Sequence, residues 1–152
     1  MKEVNTFYRA GQGEIELLLV DVEEICQIPI FSSLVAAGFP SPADDYLEGT
    51  IDLNAYFIQN PSSTYIVRIK GDSMIKIHIQ DGDMLVVDKS IKPVPGHVVV
   101  ALLNGEFTVK RLHQEAGKNY LKAENDKYPL IPITPECDFR VWGVGIHVLR
   151  KI

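Results

Sequence analysis

Residues 64–69 alternate polar and apolar side chains, whereas residues 84–87 and 96–103 are largely continuous apolar runs. Short segments rich in strand-forming residues, separated by turn sequences, run through most of the chain after residue 63. These segments are 64–69, 84–87, 96–103, 106–112, 120–123 and 139–149. A period of two residues places alternate side chains on opposite faces, which is typical of strands. Turn residues such as Asp81-Gly82-Asp83 separate the segments. The pattern predicts a mostly β domain built from short strands.

Two glycine-containing sequences predict specific features of these strands. Asn104-Gly105 separates segments 96–103 and 106–112, and it is the pair that a type I′ turn requires, because both central residues need positive φ. A tight hairpin is therefore predicted at this point. Gly143 and Gly145 interrupt the last segment and predict a bulge or sharp coiling there.

The patterns before residue 64 are weaker. Residues 14–22 are rich in strand-forming residues and predict an edge strand. Phe31, Leu34 and Val35 fall on one helical face and Gly38 follows them. That spacing predicts a short helix or turn that ends at the glycine.

A linker and one further helix are predicted after Gly38. Residues 38–46 contain two prolines, which exclude regular structure. Asp52 is placed to cap a short helix that runs through Ile58 and ends before Pro61. We therefore expect residues 38–46 to connect the front of the chain to the β domain.

Charge is distributed unevenly along the 152 residues. The whole chain has 15 basic and 20 acidic side chains, a net charge of −5. Residues 1–37 have two basic and six acidic side chains, hence −4, whereas residues 38–152 have 13 and 14, hence −1. Nucleic-acid affinity comes mainly from Lys and Arg that neutralise phosphates, so the acidic front part is not expected to bind DNA directly.

Several classes of protein are disfavoured by the rest of the sequence. No apolar run approaches the roughly 20 residues that a membrane-spanning helix needs. The N-terminal residues lack the apolar stretch of a secretory signal, so we expect no membrane association and a cytoplasmic location. Cys26 and Cys137 form no CxxC pair and are expected to remain thiols in a reducing compartment.

Candidate metal and nucleotide sites are absent from the sequence pattern. The four histidines are scattered and none has metal-ligand spacing to another His or Cys. Gly11 and Gly13 are not flanked by the strand and helix of a phosphate-binding loop. We therefore expect neither a metal ion nor another cofactor.

Ser73 and Lys110 are the candidates for chemistry. Ser73 follows a predicted strand in Lys70-Gly71-Asp72-Ser73-Met74, where glycine permits a tight turn that presents the hydroxyl. Such a serine needs a base, and Lys110 can act as one if burial lowers its pKa from about 10.4. The alternative from local pattern alone is an ordinary turn serine and a lysine that reaches solvent.

Several short segments of this chain match the motifs of a known protein family. The segments are Phe31-Ser32, Leu34-Val35, residues 38–43, Asp45-Tyr46, residues 51–54, residues 71–75, residues 81–83, residues 105–110, Gly143-Val144 and residues 146–148. Through them the chain from about Pro29 onward resembles the UmuD family of SOS mutagenesis polymerase accessory subunits, within the LexA-like S24 self-cleaving peptidases. The resemblance implies a LexA/signal-peptidase-like β-ribbon catalytic domain with a short N-terminal arm.

The resemblance also implies roles for individual residues. Ser73 matches the nucleophile, Lys110 matches the general base, and the bond between Ala37 and Gly38 matches the self-cleavage site. Residues 1–37 would then be an arm removed by self-cleavage, and residues 38–152 the peptidase domain. The small side chain of Ala37 and the missing Cβ of Gly38 suit close approach to a serine.

Two positions depart from the pattern of the UmuD family. The cleavage pair is Ala-Gly, as in LexA repressors, rather than Cys-Gly. Lys76 and His78 stand where acidic or glycine residues are common. His78 is thus an alternative base, although Lys110 matches both the motif and the chemistry.

The resemblance implies partners that composition does not show. They are a second copy of the chain in a homodimer, a RecA filament on single-stranded DNA that stimulates cleavage, and a UmuC-type Y-family polymerase. One alternative is the C-terminal domain of a LexA or phage repressor, whose helix-turn-helix head normally takes about 60 residues. A signal peptidase is another alternative, but it would require membrane attachment. The remaining alternative is an interaction module in which Ser73 and Lys110 are inactive.

Overall fold

The computed structural model describes residues 5–10, 13–19, 25–31, 37–38 and 47–152. The chain divides into two compact units, Met1–Val20 with Asn60–Ile152, and Asp21–Gln59. We refer to them as the sheet unit and the small unit.

Strands make up most of the regular structure in the described residues. In chain order they are β1 (Asn5–Ala10), β2 (Gly13–Leu19), β3 (Gln27–Phe31), β4 (Leu47–Asp52), β5 (Thr64–Arg68), β6 (Met84–Asp88), β7 (Val98–Leu103), β8 (Glu106–Glu115), β9 (Lys118–Lys122), β10 (Ile131–Pro132) and β11 (Phe139–Leu149). One α-helix, α1 (Leu53–Phe57), and short 3₁₀ helices at Pro61–Ser63 and Ile75–Ile77 accompany them. The predicted mostly β fold is confirmed.

The sheet unit contains a nine-stranded antiparallel sheet. Its order is β1-β2-β5-β6-β11-β7-β8-β9-β10. Strand β2 therefore lies between β1 and β5, so the prediction that this segment is an edge strand was wrong. The sequence before residue 13 lacks clear alternation, which is why the neighbouring strand β1 was not predicted.

Two type I′-like hairpin turns connect the strands around β8. Asn104 and Gly105 have φ of 50° and 83°, as predicted for the β7–β8 turn. Ala116 and Gly117 have φ of 49° and 75° at the β8–β9 turn, which the sequence analysis did not single out. These turns keep β8 in register with both neighbours, so that Lys110 lies opposite Val99 of β7.

Core residues lie on both faces of the sheet, and the continuous apolar strand β7 contributes to each face. Val100 belongs to one buried cluster, with Val67, Ile69, Met74, Ile79, Leu85 and Val87. Val99 and Ala101 belong to the other, with Leu121 and Val144. Because successive residues of a strand point to opposite faces, one continuous apolar segment supplies both clusters.

The small unit is built on the β3–β4 pair and α1. The Asp52 side chain accepts a hydrogen bond from Asn54 N at 3.0 Å, which confirms the predicted cap. Phe31 ends a strand rather than beginning a helix, and it pairs with Leu47. The rest of the predicted turn before Ala37 and of the predicted linker after Gly38 lies outside the described residues.

Candidate active site

The turn that carries Ser73 follows β5 and is fixed at both ends. Gly71 has φ of 92°, a left-handed conformation that favours glycine, and its N–H donates to Asp81 Oδ1 at 2.5 Å. On the other side of Ser73, Met74 is only 2% exposed and packs in the core. The 3₁₀ helix Ile75–Ile77 follows. Ser73 is therefore held on a short segment between a glycine turn and a buried anchor.

The residue before Ser73 is bound by a segment distant in sequence. The Asp72 carbonyl accepts hydrogen bonds from Ile75 N at 3.2 Å and from Asn125 Nδ2 at 3.0 Å. The Asp72 carboxylate accepts one from the Tyr128 hydroxyl at 2.5 Å, and this bond lowers the pKa of Asp72. The loop after β9 thus holds the backbone beside Ser73.

Lys110 lies in the middle of β8 and is 8% exposed. Its ammonium donates to Ser73 Oγ at 3.1 Å, to Thr108 Oγ1 at 2.8 Å and to the Val109 carbonyl at 3.0 Å. Three acceptors match the three N–H groups of a protonated lysine. The structure therefore brings together the serine and the lysine singled out from the sequence, which are 37 residues apart in the chain.

Burial determines the protonation behaviour of this lysine. Removing the ammonium from water lowers the pKa of Lys110 below its ordinary value. The neutral amine has two N–H groups and one lone pair, so two of the three acceptors remain bound and Ser73 can donate its hydroxyl proton to the lone pair. The geometry thus fits a serine hydroxyl next to an amine base.

Ala37 and Gly38 lie in the small unit, where they form an exposed bend. A bent, exposed segment favours access to its backbone, and the peptide bond has a methyl side chain on one side and no side chain on the other. These are the properties that a peptide bond needs to enter a narrow catalytic site.

The two atypical residues after Ser73 have other contacts. Lys76 forms an ion pair and hydrogen bond with Asp126, so its charge is already partnered. His78 is exposed, has φ of 63°, and accepts a hydrogen bond at its carbonyl from Arg150 Nη2. The Ser73 hydroxyl instead accepts a hydrogen bond from Lys110.

Three residues of the site escaped the sequence analysis. Thr108 lies two residues before Lys110 on the same strand face, and that spacing was the one available signal. Asn125 and Tyr128 lie more than 50 residues from Asp72 in sequence. No local pattern could have associated them with the serine turn.

The described part of the chain offers no sign of a metal site or a membrane-spanning helix. No group of three or more His, Cys, Asp or Glu side chains is placed to hold a metal ion among these residues. None of the helices described is both long and apolar enough to span a membrane. Cys26 and Cys137 are free thiols.

Comparison with known proteins identifies a family to which this sequence is similar. The sequence profile of the family described as Peptidase S24-like matches residues 29–146. The chain is 47% identical to Protein SamA of Salmonella typhimurium, over 81% of this chain and 85% of that protein. It is 41% identical to Protein MucA of Escherichia coli, over 80% and 84%. It is 36% identical to the LexA repressor of Actinobacillus pleuropneumoniae, over 93% and 73%.

Proposed function

The chain belongs to the Peptidase S24-like family of self-cleaving serine peptidases, with a UmuD-like sequence, and we propose that it cuts its own peptide bond between Ala37 and Gly38. The observation that carries the proposal is the 3.1 Å contact between Lys110 Nζ and Ser73 Oγ at a buried position. In this proposal Ser73 is the nucleophile and Lys110 the general base. The cut then separates the backbone of the arm, residues 1–37, from that of the peptidase domain, residues 38–152.

The proposed reaction begins with the neutral form of Lys110. Its amine takes the Ser73 hydroxyl proton while Oγ attacks the Ala37 carbonyl carbon, and backbone N–H groups beside Ser73 stabilise the oxyanion. Collapse of this intermediate breaks the bond to the Gly38 nitrogen, which receives the proton from Lys110. Water, activated by the same amine, then hydrolyses the Ser73–Ala37 ester and leaves a carboxylate on Ala37.

Thr108 has a defined part in this proposal. Its Oγ1 accepts from Lys110 Nζ at 2.8 Å, and the Val109 carbonyl is the second acceptor. With two N–H groups directed to these oxygens, the lone pair of the neutral amine is directed to Ser73. Thr108 therefore acts as a positioning residue for the base.

The biological role that we propose is that of the UmuD family. The cut chain would act as a homodimer with a UmuC-type Y-family polymerase in the cytoplasm during translesion synthesis, after a RecA filament on single-stranded DNA stimulates cleavage. The identity to Protein SamA and Protein MucA supports this role. The alternative of a repressor is favoured by the identity to the LexA repressor, but the charge of −4 on residues 1–37 is unfavourable for phosphate binding.

Self-cleavage is tested with the purified full chain. We expect a cut between Ala37 and Gly38, seen by intact mass, at a rate that rises about tenfold per pH unit until the pKa of Lys110 is reached, because only the neutral amine is a base. RecA, a nucleotide and single-stranded DNA should give the same products near neutral pH. An uncut chain under both conditions, or a cut at another bond, would contradict the proposal.

Variants of the two residues test their roles. Ser73→Ala and Lys110→Ala should each lower the rate by about a thousandfold or more, because the two groups act as a unit. Lys110→Arg keeps the charge but not the ability to lose a proton, and should be equally inactive. Ser62→Ala and Lys122→Ala change exposed residues of the same types and should cleave like the wild type.

A further inference from the structure

The loop Glu124–Tyr128 connects the serine turn with the lysine strand. Asn125 binds the Asp72 carbonyl, and the Lys76 N–H donates to the Glu124 carbonyl at 2.9 Å. On the other side, the Arg111 guanidinium binds the Glu124 carboxylate. This loop therefore contacts the chain on both sides of Ser73 and the residue next to Lys110.

Tyr128, at the end of this loop, contacts both halves of the site with different parts of its side chain. Its hydroxyl donates to Asp72 Oδ1 at 2.5 Å. Its ring centroid lies 6.0 Å from Lys110 Nζ. The residue as a whole is 43% exposed, so Tyr128 lies at the surface beside the lysine site rather than in the core.

We propose that Tyr128 is a positioning residue for self-cleavage, whose hydroxyl fixes the Ser73 turn through Asp72 and whose ring keeps water from Lys110. The inference rests on the proposed function, since it concerns the same serine and lysine. It assigns two separable tasks to one side chain, one to its polar end and one to its aromatic face.

The first task follows from the hydrogen bonds of Asp72. Its carbonyl is held by Asn125 and its carboxylate by Tyr128, so the residue before the nucleophile is bound at two points by one loop. A misplacement of about 1 Å at a reacting atom can lower a rate a hundredfold. The bond from Tyr128 therefore restricts where Ser73 Oγ can lie relative to Lys110.

The second task follows from the surroundings of Lys110. Desolvation lowers the pKa of this lysine, and no charged neighbour contributes to that shift. The ionisable groups on the adjoining segments are paired elsewhere: Asp72 with Tyr128 and Lys127, Arg111 with Glu124, and Lys76 with Asp126. Water exclusion is thus the main control on Lys110. At 6.0 Å the cation–π attraction of the Tyr128 ring favours the ammonium only weakly, and in this proposal the exclusion of water by the ring has the larger effect.

Two variants separate the tasks. Tyr128→Phe keeps the ring and removes the bond to Asp72, so it should lower the plateau rate of self-cleavage at alkaline pH about tenfold without moving the midpoint of the pH profile. Tyr128→Ala removes both, so it should also move that midpoint to higher pH. Tyr120→Phe, on β9 and away from these contacts, is the matched control and should behave like the wild type.

A direct titration makes the test independent of cleavage. In the full-length Ser73→Ala chain, NMR of isotopically labelled lysines should give a higher Lys110 pKa when Tyr128→Ala is added and an unchanged one with Tyr128→Phe. The same Lys110 pKa in the Ser73→Ala chain and in both of its Tyr128 variants would overturn the water-exclusion task. A plateau rate that Tyr128→Phe leaves unchanged would overturn the positioning task. A wild-type chain that never cleaves would contradict the proposed function and with it the positioning task, while the titration would still decide the water-exclusion task.

Discussion

At the scale of single residues, the protonation of Lys110 links stability to the proposed chemistry. A buried ammonium is costly, even when all three of its N–H groups have acceptors, because it has lost hydration. The folded chain therefore disfavours the charged form, and the pKa of Lys110 is lowered by burial. The same burial that lowers stability makes the amine available as a base nearer to neutral pH.

A stability prediction follows from the sign of this shift. Between the folded pKa and the unfolded value near 10.5, the unfolded chain binds more protons, so stability rises with pH across that window. Lys110→Met removes the buried charge at similar volume, and we expect it to stabilise the chain at pH 7 by about 1–3 kcal/mol. The gain should shrink as the pH approaches 10.5.

Urea unfolding of wild-type and Lys110→Met chains at several pH values measures this effect. Lys122→Met, at an exposed strand position, is the control and should change stability little at any pH. A Lys110→Met chain that is less stable than wild type at pH 7, or whose gain does not change with pH, would contradict the assignment of an unfavourable buried charge.

At the scale of elements, β11 is the strand that joins the two halves of the sheet. It pairs with β7 through Phe139–Val144 and with β6 through Val144–Leu149, with register shifts between Val141 and Gly143 and between Gly145 and His147. The bulge or coiling predicted from Gly143 and Gly145 is therefore seen as a register shift beside each of these glycines. A Cβ on Gly143 would lie 2.5 Å from Val87 Cγ1, so the absence of a side chain permits the close packing of β11 on β6.

Gly143→Ala should destabilise the sheet unit by overpacking. We expect a loss of about 1–3 kcal/mol in the free energy of unfolding. A Cβ on Gly145 meets only the flexible Leu85 side chain, at 3.1 Å and beyond, so Gly145→Ala should cost less. In a double-mutant cycle, Val87→Ala with Gly143→Ala should be less destabilising than the sum of the single changes. Additive losses, or a larger cost at Gly145, would show that this contact is not the cause.

At the scale of the whole molecule, the proposed cut does not follow the boundary between the compact units. The bond between Ala37 and Gly38 lies inside the small unit, Asp21–Gln59. On the arm side of that bond, β2 pairs with β5 through Leu17–Leu19 and Tyr65–Val67, and β3 pairs with β4. Both pairings join residues of the arm to residues that follow the cut.

We therefore expect the arm to stay bound by these strand pairings after the peptide bond is cut. On native anion exchange the cut chain should elute with the intact chain, at a net charge of −5. In urea the fragments should separate, because the strand pairing is lost, and residues 38–152 should then elute earlier with a charge of −1. The Ser73→Ala chain is the uncut control. Early elution of residues 38–152 in native buffer would mean that cutting alone releases the arm.

Much of the fold could be predicted from local sequence because local rules determine it. Asn104-Gly105 requires a tight turn wherever it lies between strands, and Asp52 caps α1 through an atom two residues away. The misassigned segments depended on partners far along the chain. Phe31 joined a strand because Leu47 pairs with it, and β2 was not an edge because β1 covers it.

The sequence by itself determined the mostly β fold, the turn before Ser73 and the resemblance to a family of self-cleaving peptidases, since these depend on neighbouring residues or on motifs. Only the tertiary structure decided that Lys110 lies 3.1 Å from Ser73 and 8% exposed. The alternation of residues in β8 did not show which of its two faces is buried, because burial depends on what packs against each face. Asn125 and Tyr128 likewise joined the site through chain folding, because hydrogen bonds depend on distance in space and not on separation in sequence.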